Sequence, residues 1–201
     1  VTGYAQLLLA QDRAKAVAKE LDKINASANR CQKLIADFRR LARFGDAQKE
    51  FNNINLIVKS SLDLLRYQFT KKSFRVVEDY SPDIPAIEVD TPALEQTFLN
   101  IIQNSLEALE ENGDCLSITT RKESGRIFAI FEDNGPGLSK DARANLFTPF
   151  FTTKARLQCA GLGLAAAKIL IEAHEGTIEL NNRPDSGTCV TISLPYQPDG
   201  N

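Results

Sequence analysis

The sequence predicts an α+β protein: a two-layer α/β sandwich preceded by a helical hairpin that contributes to a four-helix bundle. Three observations carry this. A heptad pattern holds over the early part of the chain and stops near Gly45–Gln48. Short strand-like runs then mix with helical ones, and they do not repeat as βαβ units, which favours a layered α+β arrangement over a doubly wound parallel sheet.

The heptad runs through Ala14, Val17, Leu21, Ile24, Ala28, Cys31, Ile35, Phe38 and Ala42, alternating spacings of three and four. That is a bundle-forming helix of roughly 40 Å. Leu34 and Leu41 widen the stripe beyond a two-stranded seam, as a four-helix bundle requires. Val1–Ala10 reads as the tail of a preceding helix, too short to cover the far half of the seam. Residues 1–45 are therefore expected to be a partial hairpin, with a longer first helix beginning upstream of Val1. The absence of any methionine agrees with a chain cut from a longer one. Residues 46–201 form the second domain.

In that domain the periodicity predicts a helix over 53–67, a strand over Phe74–Tyr80, a loop carrying Pro82 and Pro85, and a short strand at Ile87–Val89. Asp90 or Thr91 then caps a helix with Pro92 at its first position, running to about Asn112 before Gly113. Cys115–Arg121 and Arg126–Glu132 alternate as a hairpin joined by Glu123–Gly125. A short helix over 140–146, a helix over 161–174 and a closing hairpin of Thr177–Leu180 and Thr188–Leu194 complete the pattern.

Composition narrows the functions. With 24 basic and 26 acidic residues the formal charge is -2, so no footprint for nucleic acid or an anionic membrane stands out. No apolar run approaches the ~20 residues that span a bilayer. Cys31, Cys115, Cys159 and Cys189 are scattered without a CxxC pair and with one histidine to share, which reads as reduced packing residues in a cytoplasmic protein.

Four stretches carry chemistry. The helix over 92–112 has an apolar face of Leu94, Phe98, Ile101, Ile102, Ser105 and Leu109, and a polar face of Gln96, Asn100, Gln103, Asn104 and Glu107. A carboxamide offers Mg²⁺ a hard, uncharged oxygen; a solvated face is the plainer alternative. Asp133-Asn-Gly-Pro-Gly137 follows a strand, so a carboxylate fixed at its end can accept from an exocyclic amine and select adenine over guanine. A simple β-turn explains the same residues. Phe147-Thr-Pro-Phe-Phe-Thr-Thr-Lys154 suits a lid anchored by its phenylalanines. It leads to Gly161-Leu-Gly163-Leu164 at a helix start, where free N–H groups face an anion.

In order and spacing, Asn100-Ile-Ile-Gln-Asn104, Asp133 to Gly137, Phe147 to Lys154, Gly161-Leu-Gly163 and Gly187-Thr188 resemble the N, G1, F, G2 and final GT boxes of the sensor histidine kinase catalytic domain. Residues 1–44 resemble part of its dimerisation and phosphoacceptor hairpin. The resemblance implies a Bergerat-type sandwich of the GHKL superfamily that binds ATP and Mg²⁺. It implies Asn104 as the metal ligand and Asp133 on the adenine amine, with Asn100, Gly135, Gly137, Phe151, Thr152, Thr153, Gly161, Leu162, Gly163, Leu164 and Thr188 around the nucleotide. Lys154 and the amides near Gly161 to Leu164 would face the phosphates. It further implies a homodimer through the bundle and a response regulator receiver domain as partner.

Two positions depart from the pattern: Cys159 stands where the G2 box has its first glycine, and the one histidine, His174, lies at a helix-to-strand junction. The family's acceptor histidine would lie upstream of Val1, so this stretch alone is not expected to phosphorylate itself. Related ATPases carry a glutamate where this chain has Asn100, which cannot act as a base; that favours phosphotransfer over hydrolysis. A nucleotide-binding regulatory module without phosphotransfer, or a GHKL-type ATPase, stays open at this point.

Overall fold

The computed structural model describes residues 49–151 and 161–196. The bundle helix, the 1–45 domain and its boundary at 46 lie outside the described residues, as do Thr152, Thr153, Lys154 and Cys159. The elements run β1 (Glu50–Asn53), α1 (Ile54–Lys71), β2 (Arg75–Tyr80), β3 (Ala86–Val89), α2 (Thr91–Glu111), β4 (Cys115–Glu123) and β5 (Arg126–Asp133). They continue with α3 (Lys140–Asn145), α4 (Gly163–Glu172), β6 (Thr177–Asn182) and β7 (Thr188–Pro195). Five strands form one layer in the order β2-β4-β5-β7-β6, with β2 and β4 parallel and the other neighbours antiparallel. α1, α2 and α4 form the other layer, and β1 pairs with β3 as a separate antiparallel ribbon.

Each helix lies down because its apolar positions recur on one side. In α1 these are Ile54, Ile57, Val58, Leu62, Leu65 and Phe69, all buried. Phe69 continues the stripe, so the helix outlasts the predicted end at 67. The Phe74 N–H then closes on the Phe69 carbonyl at 3.0 Å, with Ser73 at φ 56°, a left-handed stop. Asn53 caps the other end, accepting from the Asn55 N–H at 2.8 Å.

α2 is capped by Asp90, whose Oδ1 accepts from the Ala93 N–H at 3.0 Å. The helix starts at Thr91, so Pro92 occupies its second position, still within the first turn where a missing N–H costs nothing. His174 packs against this cap and is buried. Its Nε2 accepts from the Asp90 N–H at 2.9 Å, and its Nδ1 donates to the Leu170 carbonyl at 2.7 Å. The histidine thereby ties the end of α4 to the start of α2, the structural role its position suggested.

Between the layers α2 lies over β5, where Ile127, Ala129 and Phe131 alternate inward and Phe98 meets Phe131 with ring centroids 5.7 Å apart. The β4–β5 hairpin turns through Ser124 and Gly125, both at positive φ (50° and 75°), the two-residue geometry that matches strand twist. α4 is shorter than the predicted 161–174, because Gly161 takes φ 66° outside the helix. β1 was not foreseen: its four residues do not alternate, and Phe51 is 77% exposed.

Phe98 is wholly buried at the contact of α2 with the sheet, so Phe98→Ala should cost about 3–5 kcal/mol. Chemical denaturation should show a lowered midpoint at unchanged slope; a loss under about 1 kcal/mol would mean that α2 is not seated on β5 as described.

Candidate functional site

Where α2 passes the end of β5 and the start of α4, the layers part around a cleft of about 610 Å³. Asn100, Asn104, Asp133, Gly137, Phe151, Gly161, Leu162, Gly163, Leu164 and Thr188 all line it. Gly135 lies behind Asp133 rather than on the wall.

Asp133 is the last inward position of β5, in register with Ile127, Ala129 and Phe131, and is 3% exposed. The alternation that builds the core therefore carries a carboxylate under the cleft. Its Oδ1 accepts from the Gly135 N–H at 3.0 Å and the Thr188 N–H at 3.2 Å, and its Oδ2 from the Ser105 hydroxyl at 3.3 Å. Burial pushes the carboxyl above the ordinary carboxylate range, against the pull of the two amides, the hydroxyl and the Arg183 charge.

Two glycines make room for this arrangement. A Cβ on Gly187, at φ 99°, would lie 1.9 Å from the Asp133 carbonyl oxygen, and one on Gly135 would lie 3.0 Å from the Ala108 Cβ and from Asp133 Oδ1. The turn is also fastened from outside. Asn134 Oδ1 accepts from the Asp114 and Cys115 N–H groups at 2.9 Å each, and the Asn182 carboxamide brackets Leu138 through its N–H and its carbonyl.

On α2 the two asparagines do different work. Asn100 Nδ2 donates to the Gly163 carbonyl at 3.4 Å, and its Oδ1 accepts from Gln96 at 3.0 Å, so it joins α2 to the start of α4. Asn104, one turn on, faces the cleft beside Gln103 and Glu107. At the mouth, the Phe150 N–H donates to the Gly161 carbonyl at 3.0 Å. A Cβ on Gly161 would meet Phe150 and Phe151 backbone at 2.6 Å. No side chain caps α4 at Leu162, which leaves the first-turn N–H groups directed at the cleft end.

The geometry fits an adenine nucleotide: a buried acceptor at one end, an amide-rich helix start at the other, and a glycine cradle between. Among the described residues no three His, Cys, Asp or Glu groups gather, so a cation here depends on the Asn104 oxygen and on oxygens that the ligand brings.

Residues 89–198 match the family described as histidine kinase-, DNA gyrase B-, and HSP90-like ATPase. The chain belongs to this family. It is 29% identical over its whole length to the signal transduction histidine-protein kinase AtoS of Escherichia coli strain K12, covering 33% of that protein. The chain thus spans about a third of the curated relative's length. The catalytic domain of histidine kinase ThkA shares its fold at a TM-score of 0.64 and 25% identity, covering 73% of this chain and 95% of that one. ThkA solved in complex with response regulator protein TrrA matches at 0.72, 21% identity, 100% of this chain and 57% of that one. Full-length ShkA in complex with AMPPNP matches at 0.73 and 24% identity, over 99% of this chain and 43% of that one. Within the family the likeness is to the catalytic ATP-binding domains of two-component histidine kinases. No helix among the described residues is long and apolar enough to cross a membrane.

Sequence reasoning missed three contributors. Ser105 was placed on the apolar face of α2; it is buried there, and its hydroxyl belongs to the Asp133 network. A hydroxyl within an apolar stripe, next to Asn104, was the available signal. Ser186, whose hydroxyl donates to the Gly135 carbonyl at 2.6 Å, and Arg183 come from the β6–β7 loop, and only the fold brings that loop here.

The raised pKa of Asp133 has a consequence for stability. A carboxyl whose folded pKa exceeds its unfolded value holds more protons when folded, so stability falls as pH rises from the ordinary aspartate range through the raised folded value, and stays lower above it. Asn at this position keeps an oxygen for the two amides and removes the buried charge. Asp133→Asn should therefore stabilise the nucleotide-free domain, more at pH 7 than at pH 4, in paired denaturant titrations. Equal effects at both pH values would show that burial does not govern this carboxyl.

Proposed function

We propose that this chain is the ATP-binding part of a cytoplasmic sensor histidine kinase, which binds MgATP and donates its γ-phosphoryl group to a histidine for relay to a response regulator. The observation that carries the reading is the buried, pre-organised Asp133 carboxylate facing a cleft whose other end is the uncapped start of α4. Asp133 accepts from the adenine amine, which guanine lacks at that position. Asn104 offers its carboxamide oxygen to the cation, and Lys154, Thr152 and Thr153 supply donors to the phosphates. The first-turn amides of α4, with Gly161 to Leu164, hold the polyphosphate. Bound MgATP supplies the transferable phosphoryl group and the cation that screens its charge.

The rest of the chemistry is positioning, with an acceptor imidazole as nucleophile. Asn100 offers no base to activate water, which supports transfer over hydrolysis. His174 is not the acceptor in this reading, since both its ring nitrogens are engaged and the ring is buried. The acceptor is assigned to the hairpin of residues 1–45 and its upstream continuation, which also makes the homodimer, and the partner is the response regulator receiver domain.

Asp133→Asn should weaken MgATP by about ten- to a hundredfold, the loss of one charged hydrogen bond of roughly 1.5–3 kcal/mol. Calorimetry on both proteins measures this directly, and unchanged affinity in a folded variant would sink the assignment.

A further inference from the structure

The β6–β7 loop carries a cation to the back of the site. Arg183 NH1 donates to the Asp133 carbonyl at 3.2 Å, while its Nε lies 3.5 Å from the Glu132 carboxylate. The Arg183 N–H also closes on the Gly187 carbonyl at 3.0 Å, so the residue is held at both backbone and side chain. Gly187 is the position where a Cβ would strike the Asp133 carbonyl. The guanidinium is thus fixed against the very residue whose carboxylate faces the cleft. It is about one-third exposed, and no ordinary packing need accounts for a charged side chain there.

We propose that Arg183 is a positioning residue for nucleotide binding, holding the end of β5 in place and keeping the Asp133 carboxylate ionised under the cleft. This rests on the reading of the cleft as an adenine nucleotide site.

Ionisation matters because of what the carboxylate must accept. It already takes two amide N–H bonds and one hydroxyl, and an adenine amine adds another. A carboxylate is acceptor-only and accommodates all four, whereas a protonated acid turns one oxygen into a donor. Other charges near Asp133 oppose ionisation or are neutral to it. Glu107 and Glu111 of α2 line the same cleft. Glu132 precedes Asp133 on its own strand, and the Cys189 thiol of β7 interacts with it electrostatically. α4 places no charged side chain on the cleft wall among the described residues. Arg183 is the cation named among the influences on Asp133, and it works against the effect of burial.

The test is MgATP affinity measured by calorimetry from pH 5 to pH 8.5 for the unaltered chain, Arg183→Gln and Arg183→Lys. Titration of the nucleotide itself is common to all three and cancels in their ratios. Arg183→Gln should bind about three- to tenfold more weakly at the acid end, a shift of up to one pKa unit, and converge toward the unaltered chain at the alkaline end. Arg183→Lys, which keeps the charge without the fork, should recover most of the acid-end loss. Overlaying profiles for Arg183→Gln and the unaltered chain would overturn the proposal. So would a loss in Arg183→Gln that is the same at every pH and is not recovered by lysine, because that pattern belongs to a merely structural role. If the unaltered chain binds no MgATP at any pH, the nucleotide reading fails and this proposal goes with it.

Discussion

A carboxylate buried at the end of an apolar strand face is the constraint around which the described structure is arranged. β5 places Ile127, Ala129 and Phe131 in the core by simple alternation, and the next inward position is Asp133. A charge taken out of water there must be met by hydrogen bonds. The donors come from three separate elements: Gly135 in the following turn, Thr188 at the start of β7 and Ser105 on α2. Satisfying one side chain therefore fixes the relative placement of the helix layer, the sheet and the turn between them. The glycines follow from the same demand, since a side chain at Gly187 would overlap the Asp133 carbonyl.

α2 serves both the core and the cleft because a helix divides its surface by angle. Leu94, Phe98, Ile101, Ile102 and Leu109 face the sheet, while Asn100, Asn104 and Glu107 face the opening. Ser105 lies at the seam between the two sets and joins them chemically. At its two ends α2 is tied to α4, by His174 on the Asp90 cap and by Asn100 on Gly163. Those two contacts set the separation between the asparagine row and the first turn of α4, and hence the width of the cleft. The function rests on packing at that level before any ligand arrives.

The parts legible in the sequence were those encoded locally. Period-2 alternation in 115–121 and 126–132, the Asp90 and Pro92 signals, and the 3.6-residue stripe of α2 each act over a few residues, and each gave its element to within a few positions. The order of five weak motifs then placed Asn100, Asn104, Asp133, Gly161 and Gly163 around a shared site, and they line one cleft. What stayed hidden depends on long-range pairing. β1 exists because Glu50–Asn53 meets Ala86–Val89, and nothing in its own residues favours a strand. Ser186 and Arg183 reach the site only because β6 and β7 bring their loop behind Asp133. The end of α1 was misjudged for a related reason: Phe69 looked like loop until the core it fills was visible.

The charge layout of the cleft explains why the polar face of α2 is made of carboxamides where it nears α4. A polyphosphate is strongly anionic, and each acidic side chain beside it would repel it in a setting partly removed from water. At 100, 103 and 104 the chain carries Asn, Gln and Asn, which offer oxygen atoms without negative charge, so a cation held by Asn104 keeps its full pull on the phosphates. The acidic positions Glu107 and Glu111 come later on the helix, away from the Asn100 contact with α4. Asp133 is the exception by necessity, since adenine must be read by an acceptor, and it is set under the cleft floor near Ala108 and Gly135 rather than beside the amides of α4. Separating the acceptor from the anion-binding helix start lets a single cleft hold one end of a ligand by negative charge and the other by positive potential.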